Sequence, residues 1–398
     1  MIGISKLYCG AVEPSDVLRY KRRSAQLPSG LLQFSRDKKP VVVWNCTRTC
    51  NLNCMHCYAG SDARTYDQLD TDEAKAMIDD LAAFGSPVLL FSGGEPCIRP
   101  DLVELMRYAK GAGMRVVLST NGTLITPELA REYAEVGLSY VGVSIDGGPA
   151  THDRFRGAQG SFARAMDGLA NAQEAGIKVG LRMTLNKLNF HEVDDVFDIM
   201  RERSINRACF YHLVYTGRGS DMMQMDLDHD ETRAVVRHIM DRTQEWFDQG
   251  GRPEILTVDN HADGPFIYLQ LLRENPERAE EVLQLLKWNQ GNSTGNGIAC
   301  ISWDGEVHAD QFWRHFSFGN VRKRPFSEIW TDVSRATEAS ELMYRLKDKR
   351  PFLKGRCSRC QWLDICGGNF RVRAEAATGD LWASDPACYL TDEEIGVL

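Results

Sequence analysis

From Val41 onward the chain alternates between short runs rich in β-branched and aromatic residues and longer stretches whose apolar positions recur every three to four residues. The short runs Val41–Cys46, Pro87–Ser92, Arg115–Thr120, Tyr140–Ile145, Lys178–Leu185 and Arg207–Leu213 read as strands. The stretches near residues 71–84, 101–112, 126–136, 161–175 and 191–202 read as amphipathic helices. Several carry start signals, among them Thr71 before an acidic first turn and Thr126-Pro127-Glu128. Strand–helix alternation six times over predicts an α/β fold with a parallel sheet, and no G-x-G-x-x-G opens it as a dinucleotide fold would require. The expected architecture is a partial, TIM-like (β/α)6 barrel over residues 41–215, with its active residues at the C-terminal ends of the strands.

The pattern differs on either side of that core. Residues 1–40 are mixed and basic, with Lys21-Arg22-Arg23 and Lys38-Lys39, and form an N-terminal extension without clear periodicity. After Tyr215, residues 229–249 and 265–289 read as amphipathic helices within a helical connection over 216–290. Gly291–Gly297 is a turn-rich break, and Ile298–Val307 reads as a hairpin around Asp304-Gly305. The stretch 351–398 is too irregular to build its own apolar core, so a metal cluster is its natural staple. Residues 291–398 are therefore expected to form a small C-terminal cluster domain.

At 398 residues the chain has room for an enzyme core and a second module. A net charge of −8 argues against general nucleic-acid binding, yet leaves room for a local basic pocket. No run approaches the ~18 apolar residues of a membrane span, and no apolar stretch precedes the first charges as in a secretory signal. A cytoplasmic location is expected. Twelve cysteines in a reducing compartment, two groups of them tightly clustered, point to metal or iron–sulfur ligation rather than to disulfides.

Cys50, Cys54 and Cys57 follow the first barrel strand, spaced by three and two residues. Three such thiolates can hold three corners of a cubane and leave the fourth iron open to a small chelating ligand. Zinc is the alternative, with His56 as a possible fourth ligand. This spacing resembles that of the radical S-adenosylmethionine superfamily, and the resemblance continues at successive strand ends over about residues 41–215. Ser92-Gly93-Gly94-Glu95-Pro96 matches the family's loop for the amino group of the bound methionine, where glycines permit close backbone approach. Thr120-Asn121-Gly122 and Ser144-Ile145-Asp146-Gly147 match its ribose and carboxylate loops. Arg156 matches a further contact to that carboxylate. The resemblance implies [4Fe–4S] chemistry that cleaves S-adenosylmethionine reductively to a 5′-deoxyadenosyl radical, with a flavodoxin or ferredoxin as electron donor. It identifies no further catalytic residue.

A second group, Cys357, Cys360, Cys366 and Cys388, resembles the auxiliary-cluster cysteines of the SPASM (or twitch-like) extension found in many such enzymes; four thiols could also close a zinc site. A full extension has further cysteines where this chain has Asp310 and Phe370. Cys300 alone cannot hold a cubane, so two [4Fe–4S] clusters are expected in all. Cys9, Cys46, Cys97 and Cys209 carry no spacing signal and read as packing residues.

The opening MIGISKLYCG, the approach LLQFSRDKKPVVVWN, and CISWDGEVHADQFW with SFGNV resemble the radical enzymes that tailor sirohaem-derived tetrapyrroles. These comprise the NirJ-type enzymes of haem d1 biosynthesis and their relative in the alternative haem pathway. The implied substrate is didecarboxysirohaem, with propionates the targets in the d1 branch and acetates in the other. The d1 branch is the first expectation. Arg218, Trp313, Arg314 and His315 are candidate contacts for a flat multi-carboxylate, and His308 or His315 for its central iron. A SPASM-type peptide maturase is the runner-up. An iron–sulfur electron carrier would need neither Glu95 nor the ribose loops.

Overall fold

The architecture comes from a computed structural model, which describes residues 1–10 and 39–397. Lys21-Arg22-Arg23, Lys38 and most of the LLQFSRDKKP run lie outside the described residues. Eleven strands occur among those described: β1 (Ile2–Gly3), β2 (Val41–Thr47), β3 (Val88–Gly93), β4 (Arg115–Thr120), β5 (Val141–Ser144), β6 (Val179–Leu185), β7 (Arg207–His212), β8 (Glu254–Val258), β9 (Ile298–Ile301), β10 (Glu306–His308) and β11 (Gly319–Asn320). Two compact units share them. One holds residues 39–180 and Thr294–Lys347; the other holds residues 1–10, Leu181–Ser293 and the chain from Asp348 onward. The stretch 291–398, read as one module from its sequence, is thus divided between the units.

In the first unit the strand order is β5-β4-β3-β2-β9-β10-β11. Strands β2 to β5 are parallel, as their separation by helices requires. Strand β9 joins β2 in parallel, with Val43 opposite Cys300, and the predicted hairpin then adds β10 antiparallel. The core lies under this sheet, where Trp44 and Phe91 are fully buried with ring centroids 5.3 Å apart. Helix Thr71–Phe84 starts where the acidic turn predicts it. The Asp70 carboxylate accepts from Asp72 N and Glu73 N, and Glu73 answers by accepting from Asp70 N. Such a box contributes about 1 kcal/mol.

In the second unit β6, β7 and β8 run parallel and β1 closes the edge antiparallel to β8, with Ile2 opposite Thr257. The segment read as one helix over 265–289 is two, Asp263–Glu274 and Pro276–Asn289. Pro276 cannot donate within a continuing helix, and Asn275 caps the second one by accepting from Arg278 N at 3.1 Å. Among the described residues no helix is long and apolar enough to cross a membrane.

Candidate iron–sulfur and cofactor site

A register shift in the β2–β3 pairing between Asn45 and Thr47 turns the chain off the sheet into the loop that carries Cys50, Cys54 and Cys57. That loop is pinned at both ends. Cys50 N donates to Asp62 O at 2.7 Å, while Asn53 N and Met55 N donate to the carbonyls of Arg156 and Phe155. The last two bonds use free carbonyls at the C-terminal end of helix Pro149–Arg156. Cys50 and Cys54 are buried. Burial pushes the Cys50 thiol up to about 12 and raises Cys54, against the pull of Arg156, whose Nη1 lies 3.4 Å from Cys54 Sγ.

Arg156 also joins Asp146 at 2.5 Å, both side chains being almost fully buried. Burial works against its charge, but Asp146 and the Cys54 thiol more than offset this and hold its pKa above the ordinary value. His56 Nε2 lies 3.7 Å from the same carboxylate, and Asp146 N donates to His152 Nδ1 at 3.3 Å. His152 is pushed down to about 4 by burial and then by Arg156. His56 was placed beside the cysteines by spacing only as a possible zinc ligand, and His152 carried no spacing signal that would have placed it here. Helix Pro149–Arg156, PATHDRFR, was itself missed, because the residues it buries include His152, Asp153 and Arg156 and leave almost no apolar stripe.

The strand-end loops meet beside these cysteines. Gly94 N and Glu95 N donate to the carbonyls of Thr47 and Thr49. A Cβ on Gly93 would sit 2.3 Å from Thr47 O, and one on Gly94 would sit 2.2 Å from Thr49 O. Both glycines are therefore demanded by this backbone contact. Glu95 is fully buried: Oε1 accepts from Thr120 Oγ1 at 2.7 Å and Cys97 N at 3.1 Å, and Oε2 from Asn121 N at 2.8 Å. Burial raises its pKa despite these donors. Its side chain ties the β3 and β4 loops together. Asn121 Nδ2 donates to Asn51 Oδ1 at 2.8 Å, tying the β4 loop to the cysteine loop. Ser144 ends β5, two residues before Asp146.

Two substrate candidates require correction. His308 is 4% exposed, with Nδ1 at 2.7 Å from Phe316 O and Nε2 at 2.7 Å from Ser302 Oγ, so neither nitrogen is available to iron. Trp313 is 1% exposed, stacked by His315 at 5.7 Å, and offers no open face. Arg314 is half-buried and His315 exposed in this first unit; Arg218 is half-buried in the second unit, at the start of the 3-10 segment Gly217–Met225. Asp310, standing where a cysteine was expected, is buried and accepts from Thr294 Oγ1 and Phe312 N. Cys300 is buried and accepts from Asn45 Nδ2 at 3.5 Å.

In the second unit Cys357, Cys360, Cys366 and Cys388 border one partly open pocket, lined further by Trp362 and Leu390. Glycine shapes its wall: Gly367 and Gly368 are both left-handed, and a Cβ on Gly291 would strike the Cys366 carbonyl at 2.2 Å. Burial raises Cys366, and the three neighbouring thiols raise it further. Among the described residues no three Cys, His, Asp or Glu side chains converge as on a single metal ion. A cluster of sulfur ligands fits four thiols around a shared cavity, and three on a looped segment with an open corner. Beside the cavity a buried ion pair, Arg373 bidentate to Asp385 at 2.9 Å, staples the C-terminal stretch, a polar device its sequence did not reveal.

The profile of the Radical SAM superfamily matches residues 44–200, and that of the SPASM iron–sulfur cluster-binding domain matches residues 293–361. The chain is 63% identical over 400 aligned residues to the Fe-coproporphyrin III synthase of Methanosarcina barkeri, covering 100% of this chain and 99% of that protein. It is 40% identical to the pre-heme d1 synthase of Dinoroseobacter shibae, over 90% of this chain and 88% of that one. The fold is shared with native anSMEcpe with bound AdoMet: TM-score 0.68 at 18% identity, over 90% of this chain and 96% of that one.

Proposed function

The chain belongs to the radical SAM superfamily, in the SPASM-bearing group whose enzymes use [4Fe–4S] clusters and S-adenosylmethionine, and from that premise we propose that it converts didecarboxysirohaem to iron coproporphyrin III by removing acetate side chains. The observation that carries this reading is the 63% identity, end to end, with a protein of that name. It moves the preference from the d1 branch, expected first from the sequence, to the alternative haem pathway. A [4Fe–4S] cluster held by Cys50, Cys54 and Cys57 would supply the one-electron reduction of S-adenosylmethionine, and with it the means to abstract a hydrogen atom from the substrate.

The chain's own residues do the holding and shielding. In this reading Cys50, Cys54 and Cys57 hold the cofactor-binding cluster, and Cys357, Cys360, Cys366 and Cys388 the auxiliary one. Backbone groups of Gly93, Gly94 and Glu95 take the methionyl ammonium. Asn121, Ser144 and Asp146 line the ribose side, and Arg156, steered by Asp146, faces the methionyl carboxylate. The buried Asp146–Arg156 pair keeps water from the Cys54 side of the loop. Arg218 contributes to substrate binding, and a flavodoxin or ferredoxin delivers the electrons.

The test is anaerobic turnover with didecarboxysirohaem, read by mass spectrometry. Loss of acetate groups with all propionates intact is expected. Propionate loss would return the chain to the d1 branch, the chemistry suggested by its 40% identical relative. No change in the tetrapyrrole, with S-adenosylmethionine cleaved normally, would overturn the substrate.

A further inference from the structure

Arg48 lies two residues before Cys50, and Arg314 follows β10. Their guanidinium carbons stand 5.3 and 4.5 Å from the centre of the Trp303 ring. Arg48 also lies 4.6 Å over Tyr66. Each reaches the segment just after Cys57: Arg48 Nη2 donates to Gly60 O at 3.3 Å, and Arg314 Nη1 donates to Ala59 O. A methyl group placed on Gly60 would sit 3.9 Å from Arg48 Nη2 and 4.0 Å from Arg314 Nη1. The two cations therefore converge on one point.

Among the described residues no carboxylate pairs with either arginine. The acids in the neighbourhood are engaged elsewhere. Asp62 takes Arg64 at 2.6 Å and the Tyr66 hydroxyl at 2.8 Å, while Arg322 holds Asp67 and Glu73. Arg48 Nε is buried with no hydrogen-bond partner. Trp303 is 6% exposed and fixed, so the guanidiniums rest on a rigid floor. Two like charges aimed at one point repel, and burial adds to that cost for Arg314. An anion between them relieves both effects, and arginine's planar fork matches a carboxylate bidentately.

We propose that Arg48 and Arg314 form a carboxylate-binding pair that takes a propionate of the tetrapyrrole beside the Cys57 end of the three-cysteine loop. This rests on the tetrapyrrole reading above and adds Arg48 as a specificity residue. S-adenosylmethionine also carries a carboxylate, so the test must separate the two sources.

Reconstituted enzyme is titrated anaerobically with iron coproporphyrin III, with its tetramethyl ester, and separately with S-adenosylmethionine. The proteins are wild type, Arg48→Gln, Arg314→Gln and Arg48→Lys, each checked for iron content and circular dichroism. Each glutamine variant is expected to weaken binding of the tetracarboxylate about ten-fold or more, with ester and S-adenosylmethionine affinities unchanged. Arg48→Lys, which keeps charge and loses the fork, should fall between. Equal binding of the tetracarboxylate by all four proteins overturns the proposal. So does an equal loss for the ester, which would make the arginines packing residues, or a loss confined to S-adenosylmethionine, which would assign the pair to the methionyl carboxylate. Wild-type protein that binds no iron porphyrin overturns the tetrapyrrole reading itself, and the pair's assignment with it.

Discussion

Cys54 sits where three separate constraints meet: buried on its loop, 3.4 Å from Arg156, and flanked by backbone bonds from Asn53 and Met55 to the end of helix Pro149–Arg156. If it holds the cluster as proposed, replacing it removes one sulfur ligand while leaving those backbone bonds in place. Cys54→Ala should fold with a stability loss of about 1 kcal/mol, yet release no 5′-deoxyadenosine under dithionite. Nucleoside analysis of the anaerobic reaction checks this, and cleavage at the wild-type rate would remove Cys54 from the cluster. At this scale the sequence showed the grouping of the cysteines, since Cys50, Cys54 and Cys57 share one loop and Cys357, Cys360, Cys366 and Cys388 border one pocket. It misled where type alone was read. His308 and Trp313 have the chemistry for a haem contact, but one has both nitrogens bonded and the other has no open face. Glu95, matched to the loop for the methionyl amino group, uses its carboxylate to join two loops from the interior, a role its type did not reveal.

The buried parallel strands β2 to β7 declared themselves as β-branched and aromatic runs because both their faces are covered. Strand β1 has two residues and can show no periodicity, and β8 was hidden inside the long connection. Helix Pro149–Arg156 failed for a different reason: its buried face is polar, carrying His152, Asp153 and the Arg156 that pairs with Asp146, and local rules tend to break at such places. A smaller conflict of this kind ends helix Glu338–Lys347. There Lys347 Nζ donates to Gly295 O at 3.0 Å and lies 4.3 Å over Trp330, and burial draws its pKa from 10.5 down to about 7. Between those values the unfolded chain binds the extra proton and the folded chain does not. Stability therefore climbs with pH across that window, and this part of it is lost as pH falls toward 7. Lys347→Met should stabilise the protein most near pH 7 and progressively less toward pH 10. Melting curves of both proteins over that range give the difference directly; a difference independent of pH would mean the ammonium stays solvated.

For the whole molecule the expectation is two clusters. The cavity lined by Cys357, Cys360, Cys366 and Cys388 accounts for one and the looped triad for the other, while Asp310 and Phe370 hold places where further thiols would be needed. Anaerobically reconstituted enzyme should carry about eight irons, two cubanes' worth. Colorimetric iron together with Mössbauer spectra measures this, and a reproducible value near twelve would bring Cys300 back as a ligand. The pairing of β2 with β9 has a consequence in time. One edge of β2 is completed by a strand that leaves the ribosome roughly 250 residues later, a wait of some 13–50 seconds at ~5–20 residues per second. Throughout that interval the strand leading into the three-cysteine loop presents an unsatisfied hydrogen-bonding edge to the cell. The nascent chain is thus most exposed to mispairing, and most dependent on chaperones, on the segment that must later receive its iron.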